Sequence, residues 1–310
     1  MSPTVSARAA ATPPGHVEGS GSRPGDVVGG YRVDAVLKVR GCAAVYRATG
    51  GVEFAGEGTS AAGGVVAVKT LCLAAPQSAR RRADNESSVL RSLAGLSCVP
   101  SVVSSGVDGA QRFLAIEWRP GRSLRSVSRA CADGGWDAVD AAFRSVALPV
   151  VRSVGRLHER GVAHGDLSRV NLVVTDAGDV SILDFESSVR LGEPATGRLR
   201  RKTTWAYAPP EFARERDGIA PSIEADQYAL AAILYRQLTR RRHRPRPTEG
   251  VVADDLAVLD VPSRPIPARI LRRYPLLDAV FARALARRSV DRFPSMDAFA
   301  DALAHALGGE

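Results

Sequence analysis

The stretch Val154–Phe185, VGRLHERGVAHGDLSRVNLVVTDAGDVSILDF, places His164, Asp166, Asn171 and Asp184 between short apolar runs. Phosphoryl transfer needs a carboxylate to orient the attacking hydroxyl, together with an amide oxygen and a second carboxylate to bind divalent metal ions. The stretch supplies these three groups in close succession. It therefore predicts a phosphotransfer centre in which Asp166 orients the hydroxyl and the other two side chains bind metal.

The motif HGDLSRVN, residues 164–171, resembles the H-R-D-L-x-x-x-N catalytic loop of Hanks-type protein kinases, here the bacterial, eukaryotic-like serine/threonine kinases. The motif DFE, residues 184–186, stands where D-F-G is usual. Three residues depart from the family pattern: Gly165 replaces an arginine, Ser168 a lysine near the γ-phosphate, and Glu186 a glycine. The missing lysine is expected to slow transfer, because charge develops there in the transition state. Glu186 is expected to restrict movement of its loop.

The composition is that of a globular chain, with 310 residues of which 45% are hydrophobic. It excludes a fibrous or wholly disordered protein. The four cysteines are dispersed without a C-x-x-C motif, so neither a zinc site nor a disulfide framework is expected, and a cytoplasmic location is the simplest interpretation. No segment is apolar for long enough to span a membrane.

The net charge of +9 is concentrated in residues 198–202 and 240–246, where a solvated basic face is favoured over an acidic partner.

Residues 1–26 are rich in Ser, Pro, Gly and Ala, and we expect a disordered tail because they cannot bury enough apolar surface. From Tyr31 the sequence alternates between apolar and polar residues, which predicts a β-hairpin with its turn at residues 40–42. The hairpin resembles the one that covers the nucleotide in bacterial kinases, with Val45 against the nucleotide.

Only Gly41 remains of the glycines expected in this hairpin. The family's three glycine positions are occupied by Lys38, Arg40 and Ala43. Glycines let main-chain amides approach phosphates closely, so their absence predicts weaker or differently shaped nucleotide contacts.

The β-branched run VVAVKTL, residues 65–71, contains a single lysine, Lys69, and a helix predicted over residues 78–94 follows it. Taken singly, Lys69 is an ordinary edge-strand lysine and Glu86 an ordinary surface carboxylate. The resemblance implies instead that Lys69 binds the α- and β-phosphates and that Glu86 positions it.

Two more strands surround a predicted turn at residues 108–110, and a hinge is expected at Pro120–Gly121. The resemblance places Ile116 at the gatekeeper position and the main chain from Glu117 to Arg119 along the adenine edge. A core isoleucine beside a solvated glutamate is the alternative.

The segment WAYAPPE, residues 205–211, resembles the A-P-E element that closes a protein kinase activation segment. Aminoglycoside phosphotransferases share the HGD loop but are not expected to carry this element. The resemblance also implies that Thr204 bonds to Asp166, that Asp226 braces the catalytic loop, and that Arg292 pairs with Glu211.

These features predict an α+β, two-lobed protein-kinase-like fold, with a small antiparallel sheet plus helix over residues 27–119 and a larger helical lobe over residues 120–310. ATP would bind between the lobes with Mg²⁺, and the acceptor would be a Ser or Thr of a protein substrate. A pseudokinase that acts as a binding module is the first alternative, favoured by Ser168, Glu186 and the poor glycine loop. A small-molecule phosphotransferase is the next. Nucleic-acid binding is not expected, because the arginine clusters lack interleaved aromatics.

Overall fold

A computed structural model describes residues 21–50, 64–131, 133–193, 207–211, 221–244 and 263–308. Its N-terminal part is an antiparallel sheet of six strands in the order β1-β2-β3-β4-β6-β5. The strands are β1 Val27–Val28, β2 Tyr31–Arg40, β3 Ala43–Thr49, β4 Val65–Cys72, β5 Val102–Asp108 and β6 Gln111–Glu117. Alternate residues of β3 and β4 are buried, as expected for strands with one covered face.

The β2–β3 hairpin closes through a two-residue turn, Gly41–Cys42, because Arg40 pairs with Ala43. Gly41 has a φ of +56°, a left-handed conformation that glycine adopts without steric cost. The turn predicted over residues 40–42 is therefore confirmed.

Part of the segment expected to be a disordered tail contacts this sheet. The amide of Ser22 donates a hydrogen bond of 2.9 Å to the hydroxyl of Tyr46, and the amide of Gly25 donates one of 2.8 Å to the carbonyl of Val33. Residues 1–20 lie outside the described part of the chain.

One helix, α1 Gln77–Ser92, packs on the N-terminal sheet and starts directly after Pro76. Its buried side chains are Glu86, Val89 and Leu90. The predicted helix over residues 78–94 is confirmed to within two residues at each end.

The C-terminal part is mainly helical, and Ser222 and Ser295 cap two of its helices by accepting hydrogen bonds from main-chain amides. The helices are α2 Leu124–Ala130, α3 Gly135–Glu159, α4 Ile223–Thr239, α5 Ala268–Leu271, α6 Leu277–Ala284 and α7 Met296–Ala306. Two small sheets complete it: β7 Arg122–Ser123 with β9 Leu172–Val174 and β10 Val180–Ile182, and β8 Val162–Ala163 with β11 Val189–Arg190.

The predicted hinge at Pro120–Gly121 lies where the chain leaves β6 for these small sheets. Gly121 has a φ of +127°, and a Cβ atom there would lie 2.5 Å from the carbonyl oxygen of Val174. The close approach of β9 therefore requires glycine at this position.

The α+β architecture, with a sheet followed by helices, is confirmed. The exact limits of the lobes, residues 27–119 and 120–310, stay predictions. No helix in the described part of the chain is long and apolar enough to cross a membrane.

The basic cluster over residues 240–246 is not the uniform solvated face that its sequence suggests. The Arg244 side chain is buried, at 5% exposure, and its guanidinium lies 5.2 Å from the centre of the Tyr228 ring. The solvated-face interpretation is wrong for Arg244, because an aromatic side chain of α4 offers it a cation–π contact.

Candidate active site

Lys69 and Glu86 form an ion pair at the centre of the site. Nζ of Lys69 lies 2.6 Å from Oε1 of Glu86 and 3.5 Å from Oδ1 of Asp184. Burial acts to lower the pKa of Lys69, but the negative charges of Glu86 and Asp184 outweigh it and raise that pKa above its ordinary value. The lysine is therefore held as a cation between two carboxylates, and its predicted pairing with Glu86 is observed.

The same Glu86 oxygen also binds the main chain that follows Asp184. The amide of Phe185 donates a hydrogen bond of 3.1 Å to Oε1 of Glu86. Asp184 itself has a φ of +71°, which turns the chain so that this amide faces α1. A single carboxylate thus fixes the lysine and the DFE loop relative to each other.

Other groups of α1 hold the residues after Phe185. Nδ2 of Asn85 donates a hydrogen bond of 2.8 Å to the carbonyl of Ser188, and Arg190 donates one of 2.8 Å to the carbonyl of Ser88. Glu186, which replaces the family glycine, lies 3.5 Å from Nε of Arg82. The resemblance predicted only that Glu186 would make its loop less flexible than a glycine would. The structure shows in addition that its carboxylate pairs with an arginine of α1.

Asp226 on α4 binds the main chain of the catalytic loop. Its carboxylate accepts hydrogen bonds from the amides of His164, at 2.6 Å, and Gly165, at 2.9 Å, and it lies 3.1 Å from Nε2 of His158. Burial acts to raise the pKa of Asp226, but the hydrogen bonds from His158 and from the amide of Gly165 hold it below its ordinary value. Asp226 is therefore a buried, charged brace, as the resemblance implies.

The backbone conformation of Gly165, whose amide binds Asp226, requires glycine. Its φ is +78°, and a Cβ atom would lie 2.6 Å from the carbonyl oxygen of Ser187 and 2.7 Å from Cγ of Pro221. The family arginine at this position is therefore incompatible with the backbone seen here. The sequence shows the replacement but not its conformational reason.

His164 connects the catalytic loop to the segment between β10 and Asp184. Its Nδ1 accepts a hydrogen bond of 3.2 Å from the amide of Asp166, so Nε2 carries the proton and donates to the carbonyl of Leu183 at 3.1 Å. The sequence places His164 in the catalytic loop, but only the structure shows that its ring links the main chain at Asp166 and at Leu183.

Asn171 and Asp184 are the expected metal ligands. Nδ2 of Asn171 donates to the carbonyl of Asp166 at 3.1 Å, which leaves the amide oxygen as the atom suited to a cation. Burial acts to raise the pKa of Asp184, but the positive charges of Lys69 and Lys38 lower it below its ordinary value, so the carboxylate is charged.

Oxygen atoms from one amide and one carboxylate fit Mg²⁺, which usually takes one or two protein oxygens and completes its shell with water and substrate phosphates. Within the described ranges, no cluster of three or more His, Cys, Asp or Glu side chains could hold a metal ion alone. Phosphate oxygens would therefore have to complete the shell.

A cavity of about 1080 Å³ opens between the β2–β3 hairpin, α1 and the catalytic loop. Val45, Lys69, Asp166, Asn171 and Asp184 all line it, so the structure brings these predicted residues together. Its lining does not include Ile116, Glu117 or Arg119, and their contact with adenine stays a prediction.

Ser168 also lines the cavity, and its buried hydroxyl finds no hydrogen-bond partner among the described residues. Lys38, at a former glycine position on β2, lines the same cavity. Lys38 on the hairpin therefore brings a positive charge to the cavity, whereas the catalytic loop lacks the family lysine at position 168.

The predicted pair of Glu211 and Arg292 is observed as two parallel hydrogen bonds of 2.8 and 2.7 Å. The Arg292 side chain is fully buried, and it also donates to the carbonyls of Ala286 and Glu224. This fork anchors the end of the WAYAPPE element to the helical part. Thr204 lies outside the described residues, and its bond to Asp166 stays a prediction.

The protein kinase domain family model matches residues 54–257, two thirds of the chain. The chain belongs to the protein kinase family. The small-molecule phosphotransferase alternative is thereby set aside.

Curated relatives of this kinase domain include a probable serine/threonine-protein kinase, PknB, of Corynebacterium glutamicum, 27% identical over 85% of this chain and 40% of its own length. Serine/threonine-protein kinase PknF of Mycobacterium tuberculosis is 33% identical over 52% of this chain and 34% of its own. Tyrosine-protein kinase MasK of Myxococcus xanthus is 36% identical over 46% of this chain and 21% of its own. The matches span less than half the length of each relative.

Proposed function

We propose that this kinase domain transfers the γ-phosphoryl group of ATP to Ser or Thr hydroxyls of a protein substrate. The observation that carries the proposal is the double use of Glu86 Oε1, which binds Lys69 and the amide of Phe185. It holds Lys69 beside Asp184 on the cavity that Asp166 also lines. The two relatives named as serine/threonine kinases support this acceptor class.

Each polar group has a separate task in the proposed reaction. Asp166 orients the acceptor hydroxyl and accepts its proton, while Lys69 binds the α- and β-phosphates. Asn171 and Asp184 would hold Mg²⁺, which neutralises phosphate charge when bound. Catalysis then rests on positioning and on charge stabilisation more than on covalent chemistry by the protein.

The nucleotide base and the substrate loop require further residues. Val45 would cover the nucleotide, Ile116 would border the adenine, and the main chain from Glu117 to Arg119 would hydrogen-bond its edge. Thr204 would position Asp166 against the acceptor. The free cysteines favour a reducing, cytoplasmic location for this activity.

The test uses Asp166→Asn with radiolabelled ATP, Mg²⁺ and a generic protein substrate. We expect labelling to fall by ~10²- to 10⁴-fold, since that is the usual contribution of a positioned general base. The exposed Asp301→Asn on α7 is the control and should keep the wild-type rate. Equal labelling by wild type and Asp166→Asn would remove Asp166 from the mechanism.

Analysis of the labelled amino acids then identifies the acceptor. Phosphoserine or phosphothreonine is expected. Phosphotyrosine alone would instead indicate a tyrosine kinase, the class in the name of the Myxococcus relative. If ATP with Mg²⁺ raises the melting temperature but no residue is labelled, the domain is a nucleotide-binding pseudokinase.

A further inference from the structure

Two cysteines face each other across neighbouring strands at the edge of the cleft. In the β3–β4 pair, Ala43 lies opposite Leu71, so the next pair outward is Cys42 opposite Cys72. The amide of Cys72 donates a hydrogen bond of 3.0 Å to the carbonyl of Cys42, which shows that the register continues. Directly opposed residues of this kind have Cα atoms about 5.5 Å apart, close to the usual spacing in disulfides.

The two thiols are also close and accessible. Directly opposed residues project from the same face of a sheet, and both cysteines are free and half-buried. Burial, together with the neighbouring Cys42 thiol, raises the pKa of the Cys72 thiol.

The other cysteines have different surroundings. Cys98 is buried, with its sulfur 3.6 Å from the carbonyl oxygen of Ser153. Cys131 is half-buried at the C-terminal end of α2. Cys131 is therefore a control with similar exposure that lies on a different element of the fold.

Cys42 and Cys72 lie where a covalent bond between them would restrain the elements that form the cleft. Cys42 is the second residue of the β2–β3 turn and lines the cavity together with Lys38 and Arg40. Cys72 is the last residue of β4, three positions after Lys69. A bond between the two sulfurs would tie the turn over the cleft to the strand that carries the central lysine.

We propose that Cys42 and Cys72 form a dithiol site that reacts with a small-molecule disulfide to give an intrachain disulfide bond. One protein thiolate attacks a sulfur of R–S–S–R and releases the first R–S⁻. The second protein thiolate attacks the mixed disulfide and displaces the other R–S⁻. The protein pair loses two electrons and two protons, and R–S–S–R becomes two R–SH. This site does not depend on the proposed phosphoryl transfer.

The full chain, reduced and then incubated with oxidised glutathione, provides the test. After alkylation and non-reducing digestion, mass spectrometry should find a peptide that links Cys42 to Cys72 in wild type and in Cys131→Ser. Dithiothreitol should remove the link. In Cys42→Ser, Cys72 should keep a glutathione adduct, because no second thiol is present to displace it. Separate adducts on Cys42 and Cys72, or no reaction there while Cys131 is modified, would overturn the proposal.

Thermal unfolding gives a second, independent measurement. The new bond closes the loop between residues 42 and 72, so oxidation should raise the melting temperature by about 5 °C in wild type and in Cys131→Ser. Oxidised Cys42→Ser should show no such rise. A lower melting temperature for the linked protein would mean that the sheet must distort to form the bond. It would refute the proposal that the native strand register places the two thiols at bonding distance.

Discussion

The main-chain amide of Phe185 lies 3.1 Å from Oε1 of Glu86, although the two residues are 99 positions apart in sequence. Because the same oxygen is 2.6 Å from Nζ of Lys69, the lysine and the DFE loop share one anchor on α1. Movement of α1 away from the sheet would break both contacts together. The groups that we propose to bind phosphate and metal are therefore assembled as one unit.

Glu86→Gln tests this shared anchor. An amide keeps the shape but removes the charge opposite Lys69, so we expect a loss of roughly 1–3 kcal/mol in the free energy of unfolding. Displacement of Lys69 and the loop should lower the phosphorylation rate by ~10²-fold. Chemical denaturation and initial rates measure the two effects. Glu159→Gln, an exposed residue at the end of α3, should change neither; a normal rate in Glu86→Gln would show that the anchor is dispensable.

Gly165→Ala tests whether the catalytic loop requires glycine. Both left-handed strain and contact with Ser187 and Pro221 oppose the added methyl group, so we expect a loss of about 3 kcal/mol in the free energy of unfolding. Gly161→Ala is the control, because Gly161 has a φ of +70° and open space around the position of a Cβ. It should lose only about 1 kcal/mol. Equal losses in the two variants would mean that the contacts at Gly165 relax freely.

Lys38→Ala tests whether the hairpin lysine replaces the missing cation of the catalytic loop. We expect kcat to fall by ~10-fold, equivalent to about 1.4 kcal/mol of transition-state stabilisation. Adding Ser168→Lys to this variant should restore most of the rate, because it returns a cation to the same cavity. Arg32→Ala, an exposed cation on the same strand, should keep the wild-type kcat. A rate unaffected by Lys38→Ala would assign this lysine to the solvated surface.

The stability of the helical part should depend on pH through His243. Burial, together with the positive charges of Arg244 and Arg242, lowers the pKa of His243 to about 3, and its Nε2 lies 2.9 Å from the Tyr228 hydroxyl. The folded state thus holds neutral histidine, whereas the unfolded chain binds a proton below its ordinary pKa of about 6.5. The contribution is complete above pH ~6.5 and is lost as pH falls towards 3, by up to about 1.4 kcal/mol per pH unit.

Denaturant titrations between pH 7 and pH 5 measure this slope, and His243→Gln should flatten it. The exposed His305→Gln should retain it. If wild type and His243→Gln show the same pH dependence, the histidine is not buried in its neutral form.

The sequence alone was sufficient for the elements whose signals are local. The alternation from Tyr31 onwards, the helix that contains Glu86 and the spacing from Asp166 to Asp184 depend on residues near one another in the chain. Periodicity and turn chemistry therefore predicted the sheet and α1, and the resemblance of HGDLSRVN and DFE to family motifs predicted the kinase-like loop. The family motifs also predicted two pairs of residues that are distant in sequence, Lys69 with Glu86 and Glu211 with Arg292. Both pairs are observed.

Tertiary structure alone decided which groups are buried and what they contact. Arg244 is buried although it lies within an arginine cluster, because α4 presents the Tyr228 ring to it. Glu186 acquires an ion pair with Arg82, and Gly165 a left-handed backbone beside Ser187 and Pro221. The free energy of burying a charge or adding a methyl group depends on the segments that pack around it, and those segments come from distant parts of the chain.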